Sequence, residues 1–372
     1  MTPAKKFFGG LESLRGVAAL IVVLLHIKWL NPLTHLLFFR NGYLMVDLFF
    51  VLSGFVICHN YRQKIVSFKA VGHFMLLRFG RLYPLHLFCL VCFLVIEVAK
   101  YVAGLKFHFS PYASTAFSIN NTPSFIANLL LVQAFCPFAK ITFNGPSWSI
   151  STEFYSYLLF ALTVLTFPKR RHLVIVSGFL VVLTSFLLIF WGVSGVEEVT
   201  GWSFVRCLLG FFTGVLAYHF YERFHFNISR LSGKITLCSL VFLVVFMSLS
   251  QNDCLNGIFV LPVFFGLLVA IAAESPGGGI SKILESAPLR WLGKVSYSIY
   301  MTHLMVLMLV SRCVDFSQRY FGPNYREALG IGFVFLAVSL VLLISHLTYH
   351  WIEKPCQNEF RGLAANRFFK KG

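Results

Sequence analysis

Leu173-Val174-Ile175-Val176-Ser177-Gly178-Phe179-Leu180-Val181-Val182-Leu183-Thr184-Ser185-Phe186-Leu187-Leu188-Ile189-Phe190-Trp191 contains nothing more polar than serine and threonine. A run of about 18 to 20 apolar residues is long enough to cross a bilayer as an α-helix. Phe333 to Ile344 carries the same signal. Across all 372 residues, 58% are hydrophobic and only 12% are charged. A soluble domain carries about 25% charged residues. A soluble fold would have to bury nearly the whole chain with too little charge left to coat its surface. The expected fold is therefore all-α: a polytopic integral membrane helix bundle of about ten transmembrane helices.

Working outward from that run, the apolar segments are 11–30, 42–60, 76–99, 147–167, 172–192, 201–221, 234–250, 255–273, 292–312 and 328–351. Basic residues mark cytoplasmic span ends. With the N-terminus inside, the cytoplasmic segments hold Lys5, Lys6, Arg62, Lys64, the cluster Lys169-Arg170-Arg171, Lys354, Arg361, Lys370 and Lys371. The outer segments hold far fewer, among them Lys28, Arg40 and Lys140. Both termini are then cytoplasmic. Phe125 to Phe138 is apolar but too short to span. The stretch 100–146 is accordingly expected outside, as a loop with a re-entrant or interfacial piece. Residues 1–372 read as one transmembrane domain with no appended soluble domain.

Three superficially attractive readings fail. A signal peptide is excluded because Glu12 and Arg15 interrupt the first apolar stretch and no small-x-small cleavage site follows. Nucleic-acid binding is suggested by the net charge of +17, but the charges lie at span ends rather than on one patch. The Cys89–Cys92 pair sits within a span without further ligands at metal spacing, so these thiols read as small hydrophobes.

Charge inside a bilayer costs about 2.5 to 3.5 kcal/mol per residue at a helix centre, so embedded charges are functional candidates. Arg15 and His26 are separated by about 20° past three full turns, which puts them on one helix face about 16 Å apart. Asp47 enters from the outer side on the next span and is expected at the depth of His26. There it would accept a ring N–H and fix the tautomer. Arg78 and Arg81 share a face at the cytoplasmic end, level with Arg15. Converging guanidinium forks suit phosphate oxygens. Glu153 is expected about two turns in from the outer surface, near His26, with Ser149 on its face.

These residues fall in recognisable motifs. They are Leu11-Glu12-Ser13-Leu14-Arg15-Gly16 with His26, Val46-Asp47-Leu48-Phe49-Phe50-Val51-Leu52-Ser53-Gly54-Phe55, and the Arg78/Arg81 pair. Trp148-Ser149 with Glu153, Gly293-Lys294-Val295-Ser296-Tyr297-Ser298-Ile299-Tyr300-Met301-Thr302-His303, and Glu353-Lys354-Pro355 follow. In this order the chain resembles the bacterial acyltransferase 3 family, membrane enzymes that O-acylate surface polysaccharides and related glycans. Met45 departs from the family, which usually has glycine there.

The resemblance implies a multi-pass protein of the bacterial inner (cytoplasmic) membrane. It further implies cytoplasmic acyl-CoA, by default acetyl-CoA, as donor substrate and a carbohydrate acceptor such as O-antigen or exopolysaccharide outside. No permanently bound cofactor is implied. Arg15, Arg78 and Arg81 would hold the CoA phosphates, and His26 would serve as general base with Asp47 orienting it. Glu153 would bind the acceptor or share its proton, and Trp148, Ser149, Tyr300 and His303 would line the substrate cavity. No GxSxG elbow is present, which favours direct transfer; an acyl-His26 intermediate stays open.

Two other classes compete. A transporter or flippase also keeps intramembrane His, Asp and Glu, but usually shows internal repeats, and none is visible. His346, His350 and Glu353 fall at i, i+4 and i+7, a metal-ligand spacing on a helix. Interfacial anchoring with Trp351 explains them better, and no metal is expected.

Overall fold

The computed structural model describes residues 7–29, 31–107, 116–135, 141–191, 199–224, 229–249, 257–274, 279–321 and 326–369. Lys5, Lys6, Lys140, Lys370 and Lys371 lie outside these residues, as do 108–115 and 136–140 of the expected outer stretch. So do the expected span ends at 30, 192, 250 and 255–256.

All regular structure among the described residues is helical. The longer elements are α1 (Gly9–Leu25), α2 (Met45–Tyr61), α3 (Phe68–Phe107), α4 (Thr122–Leu129), α5 (Trp148–Thr166), α6 (Arg170–Phe190) and α7 (Val199–Phe224). They continue with α8 (Ser229–Leu249), α9 (Gly257–Glu274), α10 (Ala287–Lys294), α11 (Ser296–Phe321), α12 (Arg326–Thr348) and α13 (Lys354–Phe369). Among the described residues, six helical stretches are long and apolar enough to cross a membrane: Leu37–Tyr61, Phe68–Lys106, Arg170–Phe190, Gly201–Phe224, Ser296–Ser317 and Ala328–Phe368. The chain is therefore a multi-pass helical membrane protein.

Several boundaries differ from expectation, among them α1, which ends at Leu25 rather than 30, and α11, which runs to Phe321 rather than 312. The third span was expected over 76–99, but α3 starts at Phe68 and continues to Phe107, so 100–107 is helix rather than loop. Gly72 and Gly104, one in each extension, do not interrupt the helix, and Lys100 pairs with Glu97 three residues earlier at 2.7 Å. Glu97 also accepts from the Phe117 backbone N–H at 3.2 Å and from Asn120 at 2.8 Å, tying the following segment to the helix end. In the apolar segment at 125–138 the helix is α4, only eight residues long. It is capped by the Asn121 side chain, which accepts from the Ser124 backbone N–H.

The core is built around α2 and α7, whose most apolar windows lie 78% inside the molecule; α6, at 22%, is peripheral. The stretch whose composition decides the fold thus faces outward, with Phe179, Val182, Phe186 and Ile189 exposed as a lipid-facing surface should be. Glycines let α2 and α7 touch. A Cβ added at Gly54 would lie 1.9 Å from the Phe211 carbonyl oxygen, and one at Gly214 would lie 2.0 Å from that of Val51. Gly210 and Gly214 form a GxxxG face of the kind that brings membrane helices into backbone contact. Gly214→Ala is expected to force the pair apart, at an overpacking cost of about 1–3 kcal/mol. Thermal unfolding in detergent should show a lowered Tm; an unchanged Tm would show that the backbones are not in contact.

Candidate functional site

A cavity of about 450 Å³ opens between α1, α2, α3, α5 and α11. Four arginines line it, Arg15, Arg78, Arg81 and Arg361, against two glutamates, Glu12 and Glu153. Arg15, Arg78 and Arg81 thus converge on one space, as their positions on two helices predict. Among the described residues none of the four makes an ion pair within salt-bridge distance. Arg78 donates to the Tyr61 hydroxyl at 2.8 Å, yet its Nε is buried with no partner. Ser296 Oγ and Glu12 Oε2, also on lining residues, are likewise buried without partners. Buried polar groups normally find partners, so these atoms mark the cavity as a polar one.

Glu153 lies in this cavity with the arginines, and His26 is not among its lining residues. Gly145–Ser147, the 3-10 turn that leads into α5, is packed inward, with Pro146 and Ser147 buried. Gln133 holds that turn by donating to the Ser147 carbonyl at 3.0 Å. On Glu153 both hydroxyl donors, Ser53 and Tyr157 (the latter at 2.5 Å), bond to Oε1. Its Oε2 takes no hydrogen bond among the described residues and is left for an occupant. Ser149 and Tyr300 line the same cavity and bond each other at 2.9 Å, with the Tyr300 hydroxyl 3.1 Å from the Pro146 carbonyl.

His26 and His303 lie off the cavity wall and face each other, Nδ1 to Nε2 at 3.4 Å. The carbonyls around them fix the tautomers. His26 Nδ1 is 2.8 Å from the Val22 carbonyl oxygen, and His303 Nδ1 is 2.7 Å from that of Tyr300. A carbonyl only accepts, so both Nδ1 atoms carry hydrogen. His26 Nε2 then holds the lone pair, as a general base requires. Tyr300 stands between the two regions, its ring 6.0 Å from His303 and 5.7 Å from Phe49.

Asp47 does not approach His26. Its two oxygens take a bidentate fork from Arg206, at 2.8 Å from Nε and 2.6 Å from Nη2. The polar contacts of His26 run to the Val22 carbonyl and His303. A buried carboxylate in an apolar bundle is compensated better by a full guanidinium than by an imidazole, and Arg206 on α7 supplies one. Arg206 also lies 6.0 Å over the Trp148 ring, so Trp148 packs against this pair and does not line the cavity.

Arg206, Tyr157 and Arg361 are absent from the sequence-derived site. Arg206 carries the signal that marked Arg15, a cation within an apolar run. Tyr157 follows Glu153 by one helical turn. Arg361 had been read only as a cytoplasmic charge. His346, His350 and Glu353 do not converge. A π-helical turn over Tyr349–Glu353 breaks the α-helical phase, and Glu353 turns inward to accept from Ser298 at 2.8 Å and Gln357 at 3.0 Å.

Fold and site together define a multi-pass membrane protein with a basic cavity of about 450 Å³ and, off its wall, a histidine whose Nδ1 faces a backbone carbonyl. The acyltransferase domain model of the acyltransferase 3 family matches residues 8–350, and the chain belongs to that family. It is 23% identical over 98% of its length to the peptidoglycan O-acetyltransferase OatA of Listeria monocytogenes, covering 59% of that protein. It is 22% identical over 95% of its length to a putative O-acetyltransferase of Staphylococcus aureus strain COL, covering 58% of it. A third relative, protein 2 in the picA locus of Rhizobium radiobacter, is 33% identical over 38% of the chain. The chain thus spans under two thirds of the length of the first two relatives. No solved structure matches it.

Proposed function

We propose that this protein is a membrane O-acetyltransferase. It takes an acyl group, by default acetyl, from cytoplasmic acyl-CoA and delivers it to a hydroxyl of a surface glycan on the other side. The observation that carries the reading is the cavity itself: four arginines with no ion pair among the described residues, beside a glutamate with one oxygen that takes no hydrogen bond among them. Guanidinium forks match phosphate oxygens, and three of the four come from the helix faces that carry the family motifs. The O-acetyltransferase names of two relatives that match over nearly the whole chain support the same chemistry.

In this reading the chain crosses the bacterial inner membrane ten times with both termini cytoplasmic. Arg15, Arg78 and Arg81 hold the phosphates, and the thioester arm passes Tyr300 towards His26. The acceptor hydroxyl attacks the thioester carbonyl while His26 Nε2 takes its proton. The C–S bond breaks, and the CoA thiolate leaves and is protonated. Glu153 Oε2 and Ser149 bind polar groups of the substrates, and the Asp47–Arg206 pair supports the wall behind Trp148.

Two experiments test this. Deleting the gene should remove one acetyl mass per modified residue from surface polysaccharide analysed by mass spectrometry; an unchanged spectrum argues against a glycan acceptor. Arg78→Ala with Arg81→Ala should weaken acetyl-CoA binding to the purified protein by at least about tenfold, the worth of one charge-assisted hydrogen bond. Unchanged affinity in a folded double variant would remove the phosphate assignment.

A further inference from the structure

The cavity runs along one face of α2. Val46, Phe49, Ser53, Val56 and Asn60 line it at alternating spacings of three and four residues, which makes one helical stripe. From Val46 to Asn60 that stripe rises about 21 Å. Its two ends differ in chemistry. At the Asn60 end stands Arg78, donating to the Tyr61 hydroxyl at 2.8 Å. Midway, Ser53 donates to Glu153. At the other end the α2 face turns apolar with Val46, Phe49 and Phe50, and Tyr300 of α11 meets Phe49 there. The two rings pack edge to face, centroids 5.7 Å apart and planes at 73°. Both are held in place. Tyr300 is buried, with its hydroxyl 2.9 Å from Ser149 Oγ and 3.1 Å from the Pro146 carbonyl oxygen. Phe49 packs against both of the larger apolar clusters of the bundle. On the far side the Tyr300 ring lies 6.0 Å from that of His303, which faces His26. Neither histidine lines the cavity, so the Phe49–Tyr300 pair forms a neck between the cavity and the histidines.

A neck of two packed rings passes a group only by displacing them, and the displacement grows with the bulk of the group. Extra methylenes forced into packed surroundings are destabilising. We propose that Phe49 and Tyr300 form an acyl-size filter, which admits short acyl groups such as acetyl and propionyl and excludes longer chains. The proposal rests on the donor occupying the cavity with its acyl end directed past Tyr300. It adds which acyl thioesters serve as donors and which side chains decide between them.

The test uses inside-out membrane vesicles that hold the full chain and the host's own surface polysaccharide. They are supplied with acetyl-, propionyl-, butyryl- or hexanoyl-CoA, and the acyl groups gained by the polysaccharide are counted by mass spectrometry. Wild-type transfer is expected to fall about tenfold or more for each methylene beyond propionyl. Phe49→Ala should raise the butyryl-to-acetyl ratio by about tenfold or more, the worth of the first excluded methylene. Phe49→Leu, which keeps an apolar side chain in the packing, should raise it less. The readout is a ratio within one preparation, so a lower yield of folded protein does not move it, and the leucine variant serves where the alanine variant does not fold. Equal transfer of acetyl and butyryl groups by the wild type would overturn the filter and leave the donor reading standing. A wild-type ratio in the folded Phe49 variants would overturn the assignment to this pair. Absence of acetyl-CoA binding by the purified wild type in nanodiscs would sink the filter together with the donor reading.

Discussion

His26→Ala is expected to abolish detectable acetyl transfer while the protein folds and binds donor normally. Losing a general base costs about 10² to 10⁴ in rate. The binding side of the prediction follows from position, since His26 lies off the cavity that holds the arginines. His303→Ala separates base from support. With His303 gone, the Val22 carbonyl still holds His26 Nδ1 at 2.8 Å, so the tautomer survives and the loss should be smaller. Acetylation would be read as the acetyl mass on surface polysaccharide in cells expressing each variant, with donor affinity measured on purified protein. A near-normal His26→Ala variant alongside an inactive His303→Ala variant would exchange the two roles.

Arg206→Met is expected to destabilise the protein by about 3–5 kcal/mol, because it leaves the Asp47 carboxylate buried and unpaired. Both side chains are enclosed, with Arg206 at 10% and Asp47 at 9% exposure. Adding Asp47→Leu removes the stranded charge, and an apolar pair of similar volume often restores what a buried ion pair provided. The double variant should therefore recover most of the lost Tm and retain measurable acetylation. A double variant that is stable but as inactive as His26→Ala would return Asp47 to the chemistry.

The contrast between Asp47 and Glu153 shows which parts of the site were legible in the chain. Both stood out as carboxylates inside apolar segments, and the cost of burying charge made each a candidate. Their partners were another matter. The pairing of Asp47 depends on how α7 crosses α2, and the crossing is set by the Gly54–Phe211 and Gly214–Val51 contacts, which link residues far apart in sequence. Glu153 takes the Ser53 hydroxyl, which lies 100 residues earlier in the chain, and that contact too is set by helix packing.

Arg15, Arg78 and Arg81 were legible because helical phase alone puts them on shared faces at one end of the bundle. Arg361 was not, since its place on the cavity wall comes from Phe360 docking on Gly80. Helix centres followed the apolar runs, and helix ends did so less well, α1 stopping at Leu25 and α11 running on to Phe321. The expected ends also failed at α3, where the helix runs on at both ends beyond its most apolar part, with the Lys100–Glu97 pair on its outward extension.

The central claim is that the arginine-lined cavity holds the donor and feeds it past Tyr300 to His26. The most direct test is an experimental structure of the protein with a non-hydrolysable acetyl-CoA analogue. The account predicts phosphate oxygens within hydrogen-bonding distance of Arg15, Arg78 and Arg81, and the acyl carbonyl beyond Tyr300 on the side of His26. An analogue bound elsewhere, or one whose acyl end points away from His26, would contradict it.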